Sequence, residues 1–178
     1  LCLYLLRNTI EGNILIFRRT KLGIAKLEKM IKGNGYKVDS IHGDKTQNDR
    51  EKALDNFKDG KINILIATDV AARGIDIDNL DAVINFDIPN VSETYVHRIG
   101  RTGRAGNSGN AYSFCSADEK PYIKGIQQLI NTVIPVEENH PYVLDPKAKR
   151  EIHKTPGKSK NKPGRKSEAS KKNKKRWY

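Results

Sequence analysis

Short apolar runs alternate with helix-like stretches through most of the chain, and this alternation limits the fold more than any other feature. The runs are rich in branched and aromatic residues, which strands favour. They occupy residues 13–17, 36–41, 62–67, 82–86 and 110–115. Apolar residues at helical spacing fall between them, as over 21–32 and 119–130. The pattern predicts an α/β fold, a parallel sheet with helices on both faces.

Charge divides the chain into two unlike parts. Residues 147–178 contain 14 Lys and Arg and two acidic residues, so this segment alone carries the net charge of +12. It has too few apolar residues to bury a core, and we expect a disordered basic tail whose partner is a phosphate backbone. A solubilising tail without a specific partner is the alternative. The expected layout is a domain over 1–135, a linker over 136–146 and the tail over 147–178.

No membrane or metal pattern stands out. Apolar residues 1–6 are too few to span a bilayer, lack the features of a signal peptide, and are followed by Arg7 and Glu11. We expect a helix whose upstream chain is missing, a cytoplasmic location and no membrane partner. Cys2 and Cys115 form no disulfide or metal motif, and the histidines show no ligand spacing, so no metal site is expected.

The segment 97–104, HRIGRTGR, contains three arginines at a spacing of three, separated by glycines. Glycine weakens a helix interior, so we expect the helix to end and Arg101 and Arg104 to lie on a short loop. A guanidinium group keeps its charge and fits phosphate oxygens with its planar fork. Two of them suit the charge that develops on a transferred phosphoryl group, where an arginine is worth about 10³–10⁵ in rate. A solvated basic loop is the alternative.

The segment 67–77, ATDVAARGIDI, directly follows the third predicted strand. Ligands of parallel sheets lie beyond the carboxyl ends of the strands. Thr68 offers a hydroxyl to phosphate, Gly74 permits close approach, and Asp76 can accept hydrogen bonds from ribose. We expect Asp69 to be a structural cap.

Taken together, these segments resemble the C-terminal core of DEAD-box helicases, members of helicase superfamily 2. The resemblance extends over about residues 1–135 and implies a RecA-like fold. Four segments carry it: 97–104 is similar to motif VI of the family, 67–77 to motif V, 13–21 to motif IV, and Gln47-x-x-Arg50 to the neighbouring RNA-contacting motif.

Two details refine the resemblance and one departs from it. DEAH-type and RecQ-type relatives usually carry Gln where this chain has His97, before Arg98, which argues against a DNA-directed enzyme. The segment 118–136 and the short basic tail resemble a bacterial RhlE-type member. Motif IV here has Arg18 and Arg19 before its threonine, where many relatives have one small or apolar residue. This extra charge either strengthens RNA contact or faces solvent.

The resemblance implies that Arg101 and Arg104 are arginine fingers for the γ-phosphate of ATP, with Gly74 and Asp76 beside the nucleotide. It implies that His97 and Arg98 link the nucleotide state to the interface with the N-terminal RecA-like domain of the same polypeptide. ATP and Mg²⁺ would be held mainly by that domain, because this sequence has neither a phosphate-binding loop nor an Asp-Glu-Ala-Asp run. We therefore expect this fragment to be inactive alone.

The resemblance also implies contacts to RNA from Thr20, Gly43, Gln47, Arg50, Thr68 and Arg73. The sequence supports Gln47 and Arg50 independently, because Thr46 predicts a helix start and the free amides of a first turn favour phosphate. A surface ion pair of Arg50 with Asp49 or Glu51 is the alternative. Contacts to phosphate and ribose carry no sequence information, so binding should be salt-sensitive and shape-based.

The expected function is the C-terminal half of an ATP-dependent RNA helicase that couples ATP hydrolysis to RNA unwinding or to remodelling of RNA–protein complexes. Ribosomal or RNA-decay assemblies are the partners to expect. Two other functions stay open at this point. One is a binding module that acts on RNA or on an assembly partner without ATP, and the other is a DNA-directed translocase of the same superfamily.

Overall fold

The structure is a computed structural model of the 178-residue chain, and it describes residues 1–75, 77, 80–103 and 109–142. The chain divides into two units, Leu1–Pro146 and Lys147–Tyr178, and the described residues all belong to the first. Within this described part, no helix has the length and apolar character that crossing a bilayer requires.

A parallel sheet forms the centre of the domain. Its strands within the described residues are β1 (Ile14–Phe17), β2 (Val38–Ile41), β3 (Ile64–Ala67), β4 (Ala82–Asn85) and β5 (Asn110–Ser113). They lie in the order β2-β3-β1-β4-β5, and every neighbouring pair is parallel. The parallel sheet predicted from the apolar runs is therefore confirmed, with each strand shorter than its run.

Helices connect the strands. Their bounds are α1 (Cys2–Asn8), α2 (Lys21–Gly33), α3 (Gln47–Lys58), α4 (Asp69–Ala72), α5 (Ser92–Ile99) and α6 (Lys120–Ile130), the last preceded by a 3₁₀ turn (Ala117–Glu119). Threonine side chains cap three of them, since Thr20, Thr46 and Thr68 accept hydrogen bonds from amides in the first turns of α2, α3 and α4. Helix α5 begins at Ser92, and its N-cap residue, Val91, makes no side-chain cap bond.

Alternate residues of each strand face opposite layers of the domain. Ile14 and Ile16 of β1 pack in one cluster with Ile24 of α2, and α1 contributes to the same cluster. Leu15 and Phe17 pack on the other face, in a cluster that includes residues of α3 and α4. Full burial of such side chains stabilises the fold by about 1.5–3 kcal/mol each. A smaller cluster joins α5 to α6.

Candidate functional site

Three candidate RNA-binding residues lie side by side at the carboxyl edge of the sheet. Gly43, Thr68 and Thr20 follow β2, β3 and β1, which are consecutive strands in the sheet. An ion pair of 2.8 Å between Lys21 and Asp44 joins the segments after β1 and β2. The hydroxyl oxygens of Thr20 and Thr68 accept cap bonds of 3.1 and 3.3 Å. Each hydroxyl can still donate its own proton, which is what a phosphate oxygen requires.

Gln47 and Arg50 lie on the first turn of α3 and contact each other. The Arg50 Nη1 donates to Gln47 Oε1 at 3.2 Å, and its Nη2 donates to the carbonyl of Ala71 at 3.3 Å. The hydrogen bonds of Arg50 therefore go to neither Asp49 nor Glu51, the acidic partners considered from the sequence. Because Ala71 belongs to α4, the Arg50 side chain joins the RNA-contacting motif to motif V.

Arg98 of motif VI donates four hydrogen bonds from its side chain. It is 3% exposed and lies in a polar network beneath the edge of the sheet. Its Nε and Nη2 donate to both carboxylate oxygens of Asp69 at 2.6 and 2.8 Å. Its Nη1 donates to Asn85 Oδ1 at 3.0 Å and to the Asp87 carbonyl at 2.8 Å. The guanidinium also lies over the ring of Phe17, 4.8 Å from its centroid.

This network corrects the role expected for Asp69. The cap of α4 is Thr68, and Asp69 is the first helical residue, with its carboxylate turned to Arg98. Arg98 and Asp69 form a bidentate ion pair that joins motif V to motif VI. This is the strongest geometry available to an arginine and a carboxylate. The bonds of Arg98 that the structure describes go to residues of its own domain, and its role at the domain interface stays a prediction.

An open cleft of about 270 Å³ lies where motifs V and VI meet. Its lining residues are Phe17, Asp69, Ala72, Arg73, Gly74, Thr94, His97, Arg98 and Arg101. His97 and Arg73 are exposed, and Arg101 is half-buried. Gly74 has a φ of +72°, a conformation that only glycine adopts readily, and there is open space where a side chain would lie. The cleft thus combines cationic groups with a backbone that a ligand can approach closely.

The backbone of Arg101 is held from two sides. Its amide donates to the carbonyl of Arg98 at 3.2 Å, and its carbonyl accepts from the amide of Leu80 at 3.2 Å. Its side-chain Nη1 donates to the carbonyl of Ile75 at 3.3 Å. These bonds place the guanidinium of Arg101 next to the end of motif V, at the cleft.

Arg18 and Arg19 neither lie free at the RNA edge nor simply face solvent. The Arg18 Nη1 donates to both carboxylate oxygens of Asp87, at 2.9 and 3.0 Å, and its guanidinium lies over the ring of Phe86. Arg19 Nη2 donates to Glu119 Oε1 at 2.7 Å, and Glu119 is 2% exposed. The additional charge of motif IV is therefore used inside the domain, where it ties the end of β1 to the end of β4 and to the start of α6.

Comparison with known proteins identifies this arrangement. The family model for the helicase conserved C-terminal domain matches residues 1–106. The ATP-dependent RNA helicase DBP3 of Saccharomyces cerevisiae is 50% identical over 118 residues, which are 66% of this chain and 23% of that protein. The ATP-dependent RNA helicase DeaD of Haemophilus influenzae is 44% identical over 142 residues, which are 79% of this chain and 23% of that protein.

Solved structures agree with the family model. The Escherichia coli DEAD-box protein SrmB, bound to regulator of ribonuclease activity A, matches with a TM-score of 0.71 and 34% identity over 76% of this chain and 81% of that one. The C-terminal domain of the DEAD-box protein Dbp5 matches with a TM-score of 0.67 and 36% identity over 72% and 76%. The chain belongs to the DEAD-box helicase C-terminal domains. The predicted RecA-like fold is thereby confirmed.

This DEAD-box domain spans about a quarter of the length of the two curated relatives above. Three sequence predictions for it lie outside the described residues, namely Asp76 at the ribose, Arg104 as the second finger and the basic tail over 147–178. They stay predictions, as do the roles of the described site residues.

The described part of the DEAD-box domain contains no cluster of three or more His, Cys, Asp or Glu side chains that could hold a metal ion. Both cysteines are free thiols. Burial raises the pKa of the Cys2 thiol to about 11 and also raises the pKa of Cys115. A thiolate is the reactive form, so burial makes both side chains weak nucleophiles.

Sequence reasoning missed the ion pairs by which three carboxylates organise this DEAD-box site. Asp87 and Glu119 lie 69 and 100 residues from the arginines that they bind, and Asp69 lies 29 residues from Arg98. A usable signal for Asp87 existed, because it lies two residues after the end of β4, at the same edge as the other site residues. The sequence signal for Glu119 was weaker, because Glu119 is only the fourth residue of a Ser-x-x-Glu capping box.

Proposed function

We propose that this DEAD-box domain is the C-terminal half of an ATP-dependent RNA helicase. The observation that supports the proposal most directly is the cleft, where Arg73 and Gly74 of motif V meet His97 and Arg101 of motif VI. Asp69, which lines the cleft, directly follows Thr68 of the candidate RNA edge. A ligand of the cleft and a ligand of the edge would therefore touch adjacent residues, the cap and the first residue of α4.

In this proposal, Arg101 and Arg104 stabilise the negative charge that spreads over the γ-phosphoryl group during its transfer to water. Gly74 and Asp76 contact the nucleotide. ATP and Mg²⁺ are held mainly by the N-terminal RecA-like domain, where the ion neutralises charge on the phosphates. His97 and Arg98 link the nucleotide state to the interface between the domains. Closure of the two domains completes the site, and hydrolysis lets it reopen.

RNA is held at the sheet edge through its backbone. Thr20 and Thr68 donate hydroxyl protons to phosphate oxygens, and Gly43 is exposed beside them. Gln47, Arg50 and Arg73 extend the surface along α3 and α4. Such contacts bind any sequence, and closure on ATP then bends one strand and separates it locally from its complement.

We also propose finer assignments. The segment 118–136 and the short basic tail support a bacterial RhlE-type member, and the charge split supports a domain over 1–135, a linker over 136–146 and an RNA-binding tail over 147–178. A cytoplasmic location and ribosomal or RNA-decay assemblies fit such an enzyme. The structural relative SrmB is seen bound to a regulator of ribonuclease activity.

The deciding experiment is steady-state ATP hydrolysis by the full-length protein, with and without single-stranded RNA. We expect RNA to stimulate turnover, and Arg101→Ala and Arg104→Ala each to lower it by about 10³-fold or more while RNA binding is retained. Arg7→Ala is the matched control, because Arg7 is an exposed arginine whose side chain donates to Asn34, away from the cleft. Absence of turnover in the wild type would favour the binding-module alternative. Full turnover in Arg101→Ala would remove that residue from the finger role.

The tail is tested by deleting residues 147–178 and measuring RNA affinity against salt concentration. The deleted segment carries 14 of the 33 basic residues, so affinity should fall by a similar factor for all RNA sequences. The slope of log affinity against log salt should become shallower, by roughly 0.7 for each phosphate of a single strand that the tail no longer neutralises. A fall in affinity confined to one RNA sequence would contradict a purely electrostatic tail.

A further inference from the structure

Gly109 lies against the loop of residues 101–103, which carries the proposed arginine finger Arg101. The residue immediately precedes β5, and it faces Thr102 and Gly103 of motif VI on one side. A side-chain carbon added at position 109 would lie 2.6 Å from Thr102 Cβ, 2.7 Å from the Gly103 amide nitrogen and 2.8 Å from the Leu80 carbonyl oxygen. Two of these three atoms are backbone, which cannot rotate away as the end of a flexible side chain can.

The loop of residues 101–103, called the finger loop below, is held between Leu80 and Gly109. Leu80 and Thr102 form a parallel β-bridge, in which the Leu80 amide donates to the Arg101 carbonyl at 3.2 Å. The Thr102 hydroxyl donates to the Ile99 carbonyl at 2.8 Å and closes the turn after α5. The loop therefore has a bonded neighbour on one side and a close-packed neighbour at Gly109.

We infer that Gly109 is a positioning residue for the phosphoryl-transfer step, acting through Arg101. Its lack of a side chain lets the Arg101–Gly103 loop lie directly on the start of β5. Any larger residue would push the loop away and shift the Arg101 guanidinium, which a bond to Ile75 otherwise holds at the cleft. A displacement of about 1 Å at a charge-stabilising group is enough to cost on the order of 10²-fold in rate.

Gly33 does not share this environment. It lies in the last turn of α2, has nothing within 4 Å of the position that a side-chain carbon would take, and its φ is not positive. Gly33→Ala is therefore a matched control for the same chemical change. The contrast separates the effect of a methyl group near the finger loop from the effect of replacing any glycine.

The test is a double-mutant cycle in the full-length protein, and it rests on the proposed function of Arg101. We compare RNA-stimulated ATP turnover of wild type, Gly109→Ala, Arg101→Ala and the double variant, with Gly33→Ala as control. Gly109→Ala should lower kcat by about tenfold or more, with the KM for ATP and the Kd for RNA within about twofold of wild type. The double variant should turn over no more slowly than Arg101→Ala alone, because both changes act on the same guanidinium.

The outcomes separate the two proposals. If Arg101→Ala keeps full turnover, the finger role fails and the inference about Gly109 fails with it. If turnover collapses in Arg101→Ala while Gly109→Ala and the control Gly33→Ala behave alike, only the inference about Gly109 is overturned. A further fall in turnover in the double variant would show general damage to the fold and would also overturn it.

A second variant covers the case in which Gly109→Ala does not fold. Thr102→Ala deletes the hydroxyl that bonds to the Ile99 carbonyl and loosens the same loop without adding any atom. It should lower kcat severalfold in the wild-type background and have no effect in the Arg101→Ala background. An equal fall in both backgrounds would contradict positioning through Arg101.

Discussion

Replacing Asp69 with alanine should destabilise the domain strongly, because it leaves the Arg98 cation buried without its carboxylate. Arg98 is 3% exposed, and Asp69 accepts two of its hydrogen bonds, at 2.6 and 2.8 Å. Removing one partner of a buried ion pair costs about 3–5 kcal/mol. The Asp69 side chain is 30% exposed, so water can enter, and Asn85 and the Asp87 carbonyl still accept from Arg98. We therefore expect the lower end, about 3 kcal/mol.

Urea unfolding of the 178-residue chain measures this destabilisation. With a slope of about 1–3 kcal/mol per molar urea, the midpoint should fall by about 1–3 M. Thermal unfolding should shift down by about 6–12 °C, at roughly 2–4 °C per kcal/mol for a chain of this size. Asp69→Asn keeps an acceptor but loses the charge, so it should fall between alanine and the wild type.

The matched control is Asp59→Ala, which removes the partner of Lys61 in an ion pair on the surface. Exposed pairs contribute little to stability, and we expect no change in the urea midpoint. Equal midpoints for Asp69→Ala and the wild type would refute the reasoning, because they would mean that Arg98 is not an obligatorily paired buried charge. Equal shifts for Asp69→Ala and Asp59→Ala would refute it as well.

Three further predictions concern other parts of the domain. Arg19→Ala should destabilise the domain by about 1–2 kcal/mol, because the substitution removes the charged partner of buried Glu119. The salt dependence of RNA binding should stay unchanged. Thr46→Ala should cost about 1 kcal/mol by removing the cap of α3. The pKa of Cys2 is raised from 9.0 to about 11 by burial, so the stability that its protonated thiol contributes is full below pH 9.0 and is lost as pH rises through about 11. Cys2→Ala should show a weaker pH dependence over that interval.

Each of these predictions has a measurement and a contrary result. Urea midpoints test Arg19→Ala and Thr46→Ala, and a salt titration of RNA affinity tests the first again. A shallower slope of log affinity against log salt for Arg19→Ala would mean that Arg19 contacts RNA and does not bind Glu119 alone. An unchanged urea midpoint for Thr46→Ala would show that the cap bond contributes nothing to the free energy of unfolding. Parallel pH profiles for Cys2→Ala and the wild type would contradict a proton linkage at Cys2.

Sequence periodicity was sufficient to predict the sheet and the longer helices. Every residue of β3 is apolar and buried, and the Thr46 cap lies where the helix signal begins. Position along the chain also predicted that the residues after β1, β2 and β3 meet at one edge, because parallel strands end together. Motifs V and VI meet at the cleft for a different reason, since α5 is tied to α4 by Arg98 and Asp69.

Local patterns could not predict the partners of the arginines. A guanidinium at the end of a strand can reach solvent, RNA or any carboxylate that the tertiary fold brings near, and periodicity does not distinguish these. The sequence left open whether Arg18 and Arg19 contact RNA or face solvent, and the structure shows that Asp87 and Glu119 bind them from distant parts of the sequence. Helix α4 was missed because four residues are too few to produce a helical period.

The strand order has a consequence for how the domain forms during synthesis. Central strand β1 leaves the ribosome before its neighbours in the sheet, but its first sheet partner comes 50 residues later, with Ile14 opposite Ile64. At about 5–20 residues per second, the gap lasts roughly 3–10 s. Throughout that time four fully apolar residues of the nascent chain have no neighbouring strand of this sheet to pair with. We therefore expect the newly made domain to depend on protection of this segment, and mutations that add apolar residues near β1 to lower its soluble yield before they alter its native stability.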